Sequence, residues 1–360
     1  MRPASPLPPG SVIGIIGGGQ LGRMLALAAA QLGFRCHIYA PESDCPAFQV
    51  AAQRTTASYA DQTALRSFAR EVDVVTYEFE NVPAETAAFL AGRVALAPGV
   101  AALQTAQDRV AEKTFISGLG LPVAPFEAVS TLAELETALA RIGRPAILKT
   151  RRFGYDGKGQ TRIEAAASPA KAWADIGQAP AVLEGFVTFD KEISVIAARS
   201  WSGEIAVYDV PENRHEHHIL RTSTVPATIA PATAARARDI GGTIIAALDY
   251  VGVIGIELFV AGDQVIVNEI APRVHNSGHW TMDACHVSQF EQHIRAICGW
   301  PLGSSERHAD VVMTNILGHE IDDWAGLAAD PQTVLHLYGK AEARRGRKMG
   351  HFNRLTPRQG

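Results

Sequence analysis

With 360 residues, 47% of them hydrophobic and 19% charged, the chain has the composition of a folded globular protein large enough for two or three domains. Lys and Arg number 33 against 37 Asp and Glu, a formal net charge of -4, which argues against nucleic acid as a partner and for a small anion held by local basic residues. No uncharged run reaches the about 18 apolar residues that mark a membrane span. Cys36, Cys45, Cys285 and Cys298 are too few for a disulfide framework, so packing thiols in a reduced, cytoplasmic protein are expected.

The first ten residues, "MRPASPLPPG", lack the apolar centre of a signal peptide and are expected as a disordered tail. From Ser11, "SVIGIIGGGQLGRMLALAAAQLGFRCHIYA" predicts a strand, a glycine turn, a helix stopping at Gly33 and a second strand from Arg35 to Tyr39, a βαβ opening. "VDVVTYEFE" and "VALAP" add strands, so residues 11–104 read as a parallel, Rossmann-like domain. "QDRVAEKTFISGLG" and "TLAELETALARIG" predict helices that open a second domain over residues 105–187, which continues with the short strand "RPAILKT", the polar loop "KTRRFGYDGKGQ" and the strand "PAVLEGFV". Residues 188–360 form the third domain. It holds a hairpin, "KEISVIAARSWSGEIAVYDV", turning about Ser202 and Gly203, then a helix from about Pro231 to Leu248 and a second hairpin, "VGVIGIELFVAGDQVIVNEIAPR". A helix in "SQFEQHIRAICG", one strand in "DVVMTNILG" and a basic end follow.

Two patterns carry chemistry. Gly17 to Gly22 satisfies G-x-G-x-x-G between strand and helix, with Glu42 about 20 residues on, so an NAD-dependent dehydrogenase is one reading. A glycine turn at a helix N-terminus, however, binds any phosphate. The second pattern is Glu257 and Glu269, which fall opposite each other on one face if the hairpin turns about Asp263. Opposed carboxylates among apolar neighbours repel, and a divalent cation, Mg2+, resolves the conflict; one glutamate salt-bridged to Arg273 or exposed at a sheet edge is the plainer alternative. Lys149 at a strand end, with the glycines of "GYDGKGQ", can then close over phosphates, which makes the anion magnesium ATP although the Walker A ending G-K-[ST] is absent. His215, His217 and His218 are expected in a polar loop, and His275, His279 and His286 lack the spacing of a zinc site.

The ordered series "GGGQLGRM", "YEFENVP", "QDR..EK", "KTRRFGYDGKGQ", "ILRTSTVPA", "IELFV", "NEIAPRVHNSGHW" and "YGK.EARRGRKMGH" resembles the ATP-grasp enzymes, and among them the N5-carboxyaminoimidazole ribonucleotide synthetases of purine biosynthesis, from Val12 to about Asn353. The resemblance implies an α/β and α+β multidomain fold: an N-terminal Rossmann-like domain, a small lid domain and a larger antiparallel-sheet domain, with ATP between the last two. It makes Arg109 and Lys149 phosphate ligands and Gly154, Tyr155, Asp156, Gly157, Lys158, Gly159 and Gln160 the flap over ATP. Glu184, Gly185, Phe186 and Val187 would meet adenine, Glu192 the ribose hydroxyls, and His215 the same nucleotide. Glu257 and Glu269 would hold Mg2+, two ions with ATP, beside Asn268; many relatives place an asparagine two residues after the second glutamate, where this chain has Ala271.

The implied reaction is ATP-dependent carboxylation of 5-aminoimidazole ribonucleotide with bicarbonate, through carboxyphosphate, releasing ADP and phosphate. Arg273, Lys149, Glu257 and Glu269 would be catalytic, with Arg273 on bicarbonate or carboxyphosphate. The ribonucleotide would meet Gly19, Gln20, Leu21, Glu80, Tyr155, Arg273, His275 and Asn276, with Lys340 and Arg347 on its phosphate; strand alternation puts Glu78 on the face of Glu80. A homodimer through the N-terminal region is implied as well. Biotin carboxylase, a formate-using glycinamide ribonucleotide transformylase, and nucleotide binding without turnover are the other readings, and "GRKMGH" favours the aminoimidazole substrate.

Overall fold

A computed structural model describes residues 2–154 and 158–358, and among these the chain builds three sheets. The first is parallel, in the order Gln53–Thr56, Arg35–Ala40, Val12–Ile16, Val74–Tyr77, Ala95–Leu96. Its central strand, "VIGII", is apolar without alternation because both faces of a parallel sheet are covered. Helix Gln20–Gln31 buries Leu21, Met24, Leu25 and Ala29, and Leu25 shares a core with Phe290 and Ile294 of helix Gln289–Ile297, so the first domain is packed on the third.

The disordered tail expected over residues 1–10 does not hold from Leu7 onward. Leu7 donates its N–H to the Cys298 carbonyl at 2.9 Å, Trp300 Nε1 donates to the Leu7 carbonyl at 2.8 Å, and Gly10 N–H reaches the Gly33 carbonyl at 2.7 Å. Prolines restrict the unfolded chain, so fixing this segment costs little entropy.

The second domain is an antiparallel sheet in the order Phe126–Val129, Ala181–Gly185, Ala146–Thr150, Gln160–Ile163, covered by helices Leu132–Ile142 and Pro169–Asp175 around Leu135, Leu148, Ile163 and Trp173. Thr131 caps the first helix by accepting the Glu134 N–H at 3.2 Å, and Gly143 at φ 87 ends it.

The third domain is a nine-stranded antiparallel sheet. It runs Gln264–Ala271, Gly252–Ala261, Lys191–Arg199, Glu212–Glu216, Ile219–Val225, Ala309–Leu317, Lys348–Pro357, Thr333–Leu337, with Ile205–Val207 beside Lys191–Arg199. Both expected hairpins form, and helix Pro231–Ala247 lies where its pattern placed it. Two expectations are corrected. His215 lies on a strand rather than in a polar loop, while His217 and His218, at φ 51 and 65, form its turn; histidine tolerates the left-handed region better than most residues. The last sixty residues hold three strands, not one, and Lys348–Pro357 is hidden because its fully buried positions include the polar His351 and Asn353.

Candidate active site

A cleft of about 730 Å³ lies where the three domains meet, walled by Gln20, Leu21 and Glu80 from the first, Gly154 and Lys158 from the second, and Glu257, Glu269 and Arg273 from the third. Its floor depends on an irregularity. Gly262 and Asp263 make a two-residue turn that pairs Ala261 with Gln264, and regular counting from there would set Glu257 across from Asn268. A bulge skips Asn268 and sets Glu257 opposite Glu269. The expected opposition is therefore present, produced by a bulge and not by a turn about Asp263; such bulges re-aim side chains beside functional sites.

The pair is electrically unequal. Glu269 Oε2 accepts from Arg109 Nη1 at 2.9 Å, and although burial opposes its charge, Arg109 holds the carboxyl well below the usual range. Glu257 is pushed up by burial and by the facing Glu269. His275 Nε2 lies 3.3 Å from Glu257 Oε1, while its Nδ1 faces the Ser277 N–H at 3.3 Å. Burial, with Arg273 and Lys348, lowers His275 to about 3, so the neutral ring carries its proton on Nε2, toward Glu257. Among the described residues no three His, Cys, Asp or Glu converge on a metal site. Two facing carboxylates nevertheless fit a hard cation that completes its shell with phosphate oxygens and water, which is the habit of Mg2+.

Lys149, expected at the phosphates, is backed by buried charge. Lys149 Nζ donates to Glu184 Oε2 at 3.0 Å, and Lys113 Nζ lies 3.4 Å from the same oxygen. Glu184, expected at adenine, spends this oxygen on lysines; Gly185 ends the strand, paired with Ala146, and Phe186 and Val187 follow it, with Arg162 over the exposed Phe186 ring at 4.1 Å. Gln160 pairs with Lys149 in the ladder, and Gly159 at φ 70 lies so close to Thr150 that a Cβ would meet Oγ1 at 2.6 Å. Tyr155, Asp156 and Gly157 fall outside the described residues. Glu192 Oε2 is hydrogen-bonded to His215 Nδ1; burial opposes the charge, but that bond raises His215 above the ordinary histidine value.

At the other end, Arg273 grips Glu80 through Nε at 2.5 Å and Nη2 at 3.2 Å, so it salt-bridges neither Glu257 nor Glu269. The alternation expected to put Glu78 on the face of Glu80 does not apply, because both residues follow the end of strand Val74–Tyr77. The Glu78 carboxylate instead accepts the N–H groups of Gly19 at 2.5 Å and Gly22 at 2.8 Å. An internal carboxylate thus takes the helix N-terminus that a dinucleotide pyrophosphate would need, and Glu42 is exposed, so the dehydrogenase reading falls. Asn276 exchanges two hydrogen bonds with Asn315, at 3.0 and 2.8 Å. Lys340 Nζ donates to the Lys348 carbonyl at 2.6 Å and Arg347 Nη1 to the Glu342 carbonyl at 2.8 Å; with Arg344, Arg345 and Lys348 they line the cleft, so the basic run is a wall and not a solvated tail.

Sequence reasoning gave no role to Glu112, Lys113 and Asn315. Glu112, 2% exposed, accepts the Ile270 N–H at 2.6 Å and is pushed up to about 8 by burial and by Glu269. Lys113, 1% exposed, donates to the Asn268 carbonyl at 3.2 Å. Their signal lay in "QDR..EK", three and four residues past Arg109 on one helix face.

Three family models match the chain. A ribonucleotide synthetase preATP-grasp domain covers residues 11–107, an ATP-grasp domain residues 114–290, and a phosphoribosylaminoimidazole carboxylase C-terminal domain residues 311–359. An N5-carboxyaminoimidazole ribonucleotide synthase of Brucella melitensis is 52% identical over 355 residues, 98% of each chain, and one of Pseudomonas aeruginosa is 45% identical, covering 94% of this chain and 93% of its own. Among solved structures, an ADP complex of an N5-carboxyaminoimidazole ribonucleotide synthetase matches with a TM-score of 0.95 at 43% identity, covering 98% of this chain and 94% of that one. The Aspergillus clavatus N5-carboxyaminoimidazole synthase with ADP and 5-aminoimidazole ribonucleotide matches with a TM-score of 0.91 at 31% identity, covering 97% and 94%.

Proposed function

The chain belongs to the family of N5-carboxyaminoimidazole ribonucleotide synthases, ATP-grasp ligases of purine biosynthesis, and on that premise we propose how its residues divide the work. The enzyme carboxylates 5-aminoimidazole ribonucleotide on its exocyclic amine at the expense of ATP. The observation that carries the residue-level reading is Glu257 set opposite Glu269, with Arg109 on one side and Lys149, Glu184 and Lys113 behind.

Bicarbonate is the carboxyl donor. Its oxygen attacks the γ-phosphorus, ADP leaves, and the carboxyphosphate so formed is an electrophile that bicarbonate is not. The amine nitrogen then bonds to the carboxyl carbon, either of carboxyphosphate or of the CO2 it releases with phosphate, and loses its proton. Phosphoryl transfer of this kind asks the protein for positioning and charge neutralisation more than covalent participation. Lys149 and Arg109 face the phosphates, Glu192 with His215 takes the ribose hydroxyls, and the segment Gly185, Phe186 and Val187 meets the base. Glu257 and Glu269 would hold Mg2+, which would supply charge neutralisation for phosphoryl transfer.

Arg273 is suited to bicarbonate. A guanidinium has five N–H groups. Glu80 takes one from Nε and one from Nη2, and the Val274 carbonyl takes one from Nη1 at 3.1 Å, so each terminal nitrogen keeps one for an anion. Glu80, beside it, faces the ribonucleotide's ribose or amine, and Lys340 and Arg347 take its phosphate. The flap over residues 154–160 keeps water from the reactive intermediate. A cytoplasmic homodimer joined through the N-terminal domain belongs to the same reading and rests on the family likeness; among the described residues no helix is long and apolar enough to cross a membrane.

The test is ADP release from magnesium ATP and bicarbonate, with and without the ribonucleotide, alongside loss of the free aromatic amine. Matched ADP release and amine loss are expected. ADP release indifferent to the ribonucleotide would move the search to another acceptor. Glu269→Ala is expected to abolish turnover with the fold intact, and normal activity in that variant would remove the metal assignment.

A further inference from the structure

We propose that Glu112 and Lys113 are positioning residues that hold the bulge at Asn268 and thereby aim Glu269 into the cleft. The inference rests on Glu257 and Glu269 being the cation's ligands. Strand Gln264–Ala271 is the edge of the nine-stranded sheet, and on its outer side the Pro122–Val123 segment reaches it at Val267, whose N–H donates to the Pro122 carbonyl at 2.8 Å, before the bulge and not beyond it. At the bulge, Asn268 has no partner in strand Gly252–Ala261. A strand in that condition can slip by one residue, and a slip would swap the faces of Asn268 and Glu269.

Helix Arg109–Gly118 closes this edge on both sides of Glu269. Lys113 Nζ takes the Asn268 carbonyl at 3.2 Å, Glu112 Oε1 takes the Ile270 N–H at 2.6 Å, and Arg109, on the same helix face, takes the Glu269 carboxylate itself at 2.9 Å. The three contacts fall on three consecutive residues of the strand, so they fix its register and not merely its distance. Burying Glu112 and Lys113 at 2% and 1% exposure is costly, and an apolar pair of similar size would pack at less expense. What an apolar pair could not do is accept the Ile270 N–H and donate to the Asn268 carbonyl.

The same helix also reaches the phosphate loop. Arg109 N–H donates to the Arg151 carbonyl at 3.0 Å, Arg151 pairs with the helix cap Asp108 at 2.7 Å, and Lys113 shares Glu184 with Lys149. Displacing the clamp therefore disturbs the cation's ligand first and the phosphate lysine second, which predicts a defect in metal use rather than a uniform loss of activity.

The experiment compares Glu112→Gln, Glu112→Ala, Lys113→Met and Glu269→Ala in the full chain. Readouts are the Mg2+ concentration giving half-maximal ADP release and Mn2+ binding in the presence of ADP, followed by electron paramagnetic resonance, with thermal midpoints as a folding control. Glu112→Ala and Lys113→Met are expected to weaken both by about 10–100-fold, the usual effect of removing a partner behind a metal ligand. Glu112→Gln, whose amide oxygen still accepts the Ile270 N–H, should restore both to the parent values. Unchanged metal use in folded Glu112→Ala overturns the proposal; so does a Glu112→Gln variant as defective as the alanine, because the carboxyl would then act as an acid or ligand. Should Glu112→Ala fail to fold, Lys113→Met decides, and parental metal use there overturns the clamp. Retained Mn2+ binding in Glu269→Ala would instead sink the metal-site reading itself, a different failure from any of these.

Discussion

Replacing Glu184 by glutamine tests the charge cluster around Lys149, because it deletes a buried charge while keeping the side chain's shape. Glu184 is 3% exposed and sits between Lys149 and Lys113, the latter 1% exposed, so the glutamine leaves two ammonium groups facing an uncharged amide. Removing one member of a buried ion pair costs about 3–5 kcal/mol, mostly the penalty of the charge left behind. At about 2–4 °C per kcal/mol for a unit of 150–250 residues, the thermal midpoint should fall by roughly 6 °C or more. Adding Lys113→Met returns the cluster to a single cation at Lys149, whose side chain keeps 13% of its surface exposed, so the double variant should recover a large part of the loss. Burial opposes ionisation of Glu184, yet Lys149 and Lys113 hold its folded-state value below the ordinary 4.5. Its contribution is therefore complete above pH 4.5 and lost as pH falls below that, and the glutamine variant should lack this part of the acid dependence. Calorimetry of the three proteins from neutral pH down to about pH 2 measures both effects. A single-variant midpoint within about 2 °C of the parent, or a double variant worse than the single, would refute the reasoning, since a kilocalorie is worth at least that much.

Other substitutions probe different links. His293 is buried, lowered to about 3 by that burial, and bridges the Thr76 hydroxyl at 2.8 Å and the Val253 N–H at 3.0 Å. A histidine kept neutral supports folding fully above pH 6.5 and less as pH falls toward 3, by about 1.4 kcal/mol per pH unit, so His293→Asn should make the acid slope of stability shallower by that amount; an unchanged slope counts against it. Neighbouring glycines of helix Pro231–Ala247 should respond oppositely to alanine. A Cβ at Gly241 would meet Val195 Cγ1 at 2.5 Å, a cost of about 1–3 kcal/mol, whereas Gly242 faces open space and should gain about 0.5–1 kcal/mol; denaturant titration separates the two. Arg273→Lys keeps the charge but loses the fork on Glu80, and kcat/KM for bicarbonate should fall about tenfold or more, with an unchanged value removing Arg273 from the anion site.

What the sequence disclosed and what it hid divide along the distance between partners. Periodicity placed the strands Val12–Ile16 and Gly252–Ala261 and the helix Leu132–Ile142, because each is decided by its own side chains and local caps. The strand Lys348–Pro357 was missed because its buried His351 and Asn353 are polar, and their suitability depends on partners outside the strand, Tyr338 on the neighbouring segment and Asp283, 70 residues away. The site divides likewise. Glu257 and Glu269 were legible as a pair, since a hairpin brings them together by symmetry, but the bulge that makes the pairing work is invisible to a count of turn residues.

Arg273 and Glu80, 193 residues apart, were both expected at the ligand, yet not as each other's partner. The glycine turn shows the limit most sharply. G-x-G-x-x-G predicted an anion at the start of helix Gln20–Gln31, and an anion is there, but it is the carboxylate of Glu78, 56 residues beyond Gly22. The motif specifies hydrogen-bond donors and a positive helix end; what fills them is settled by whichever negative group the rest of the fold delivers to that point. A sequence motif of this kind names half of an interaction, and only the packing of the next strand names the other half.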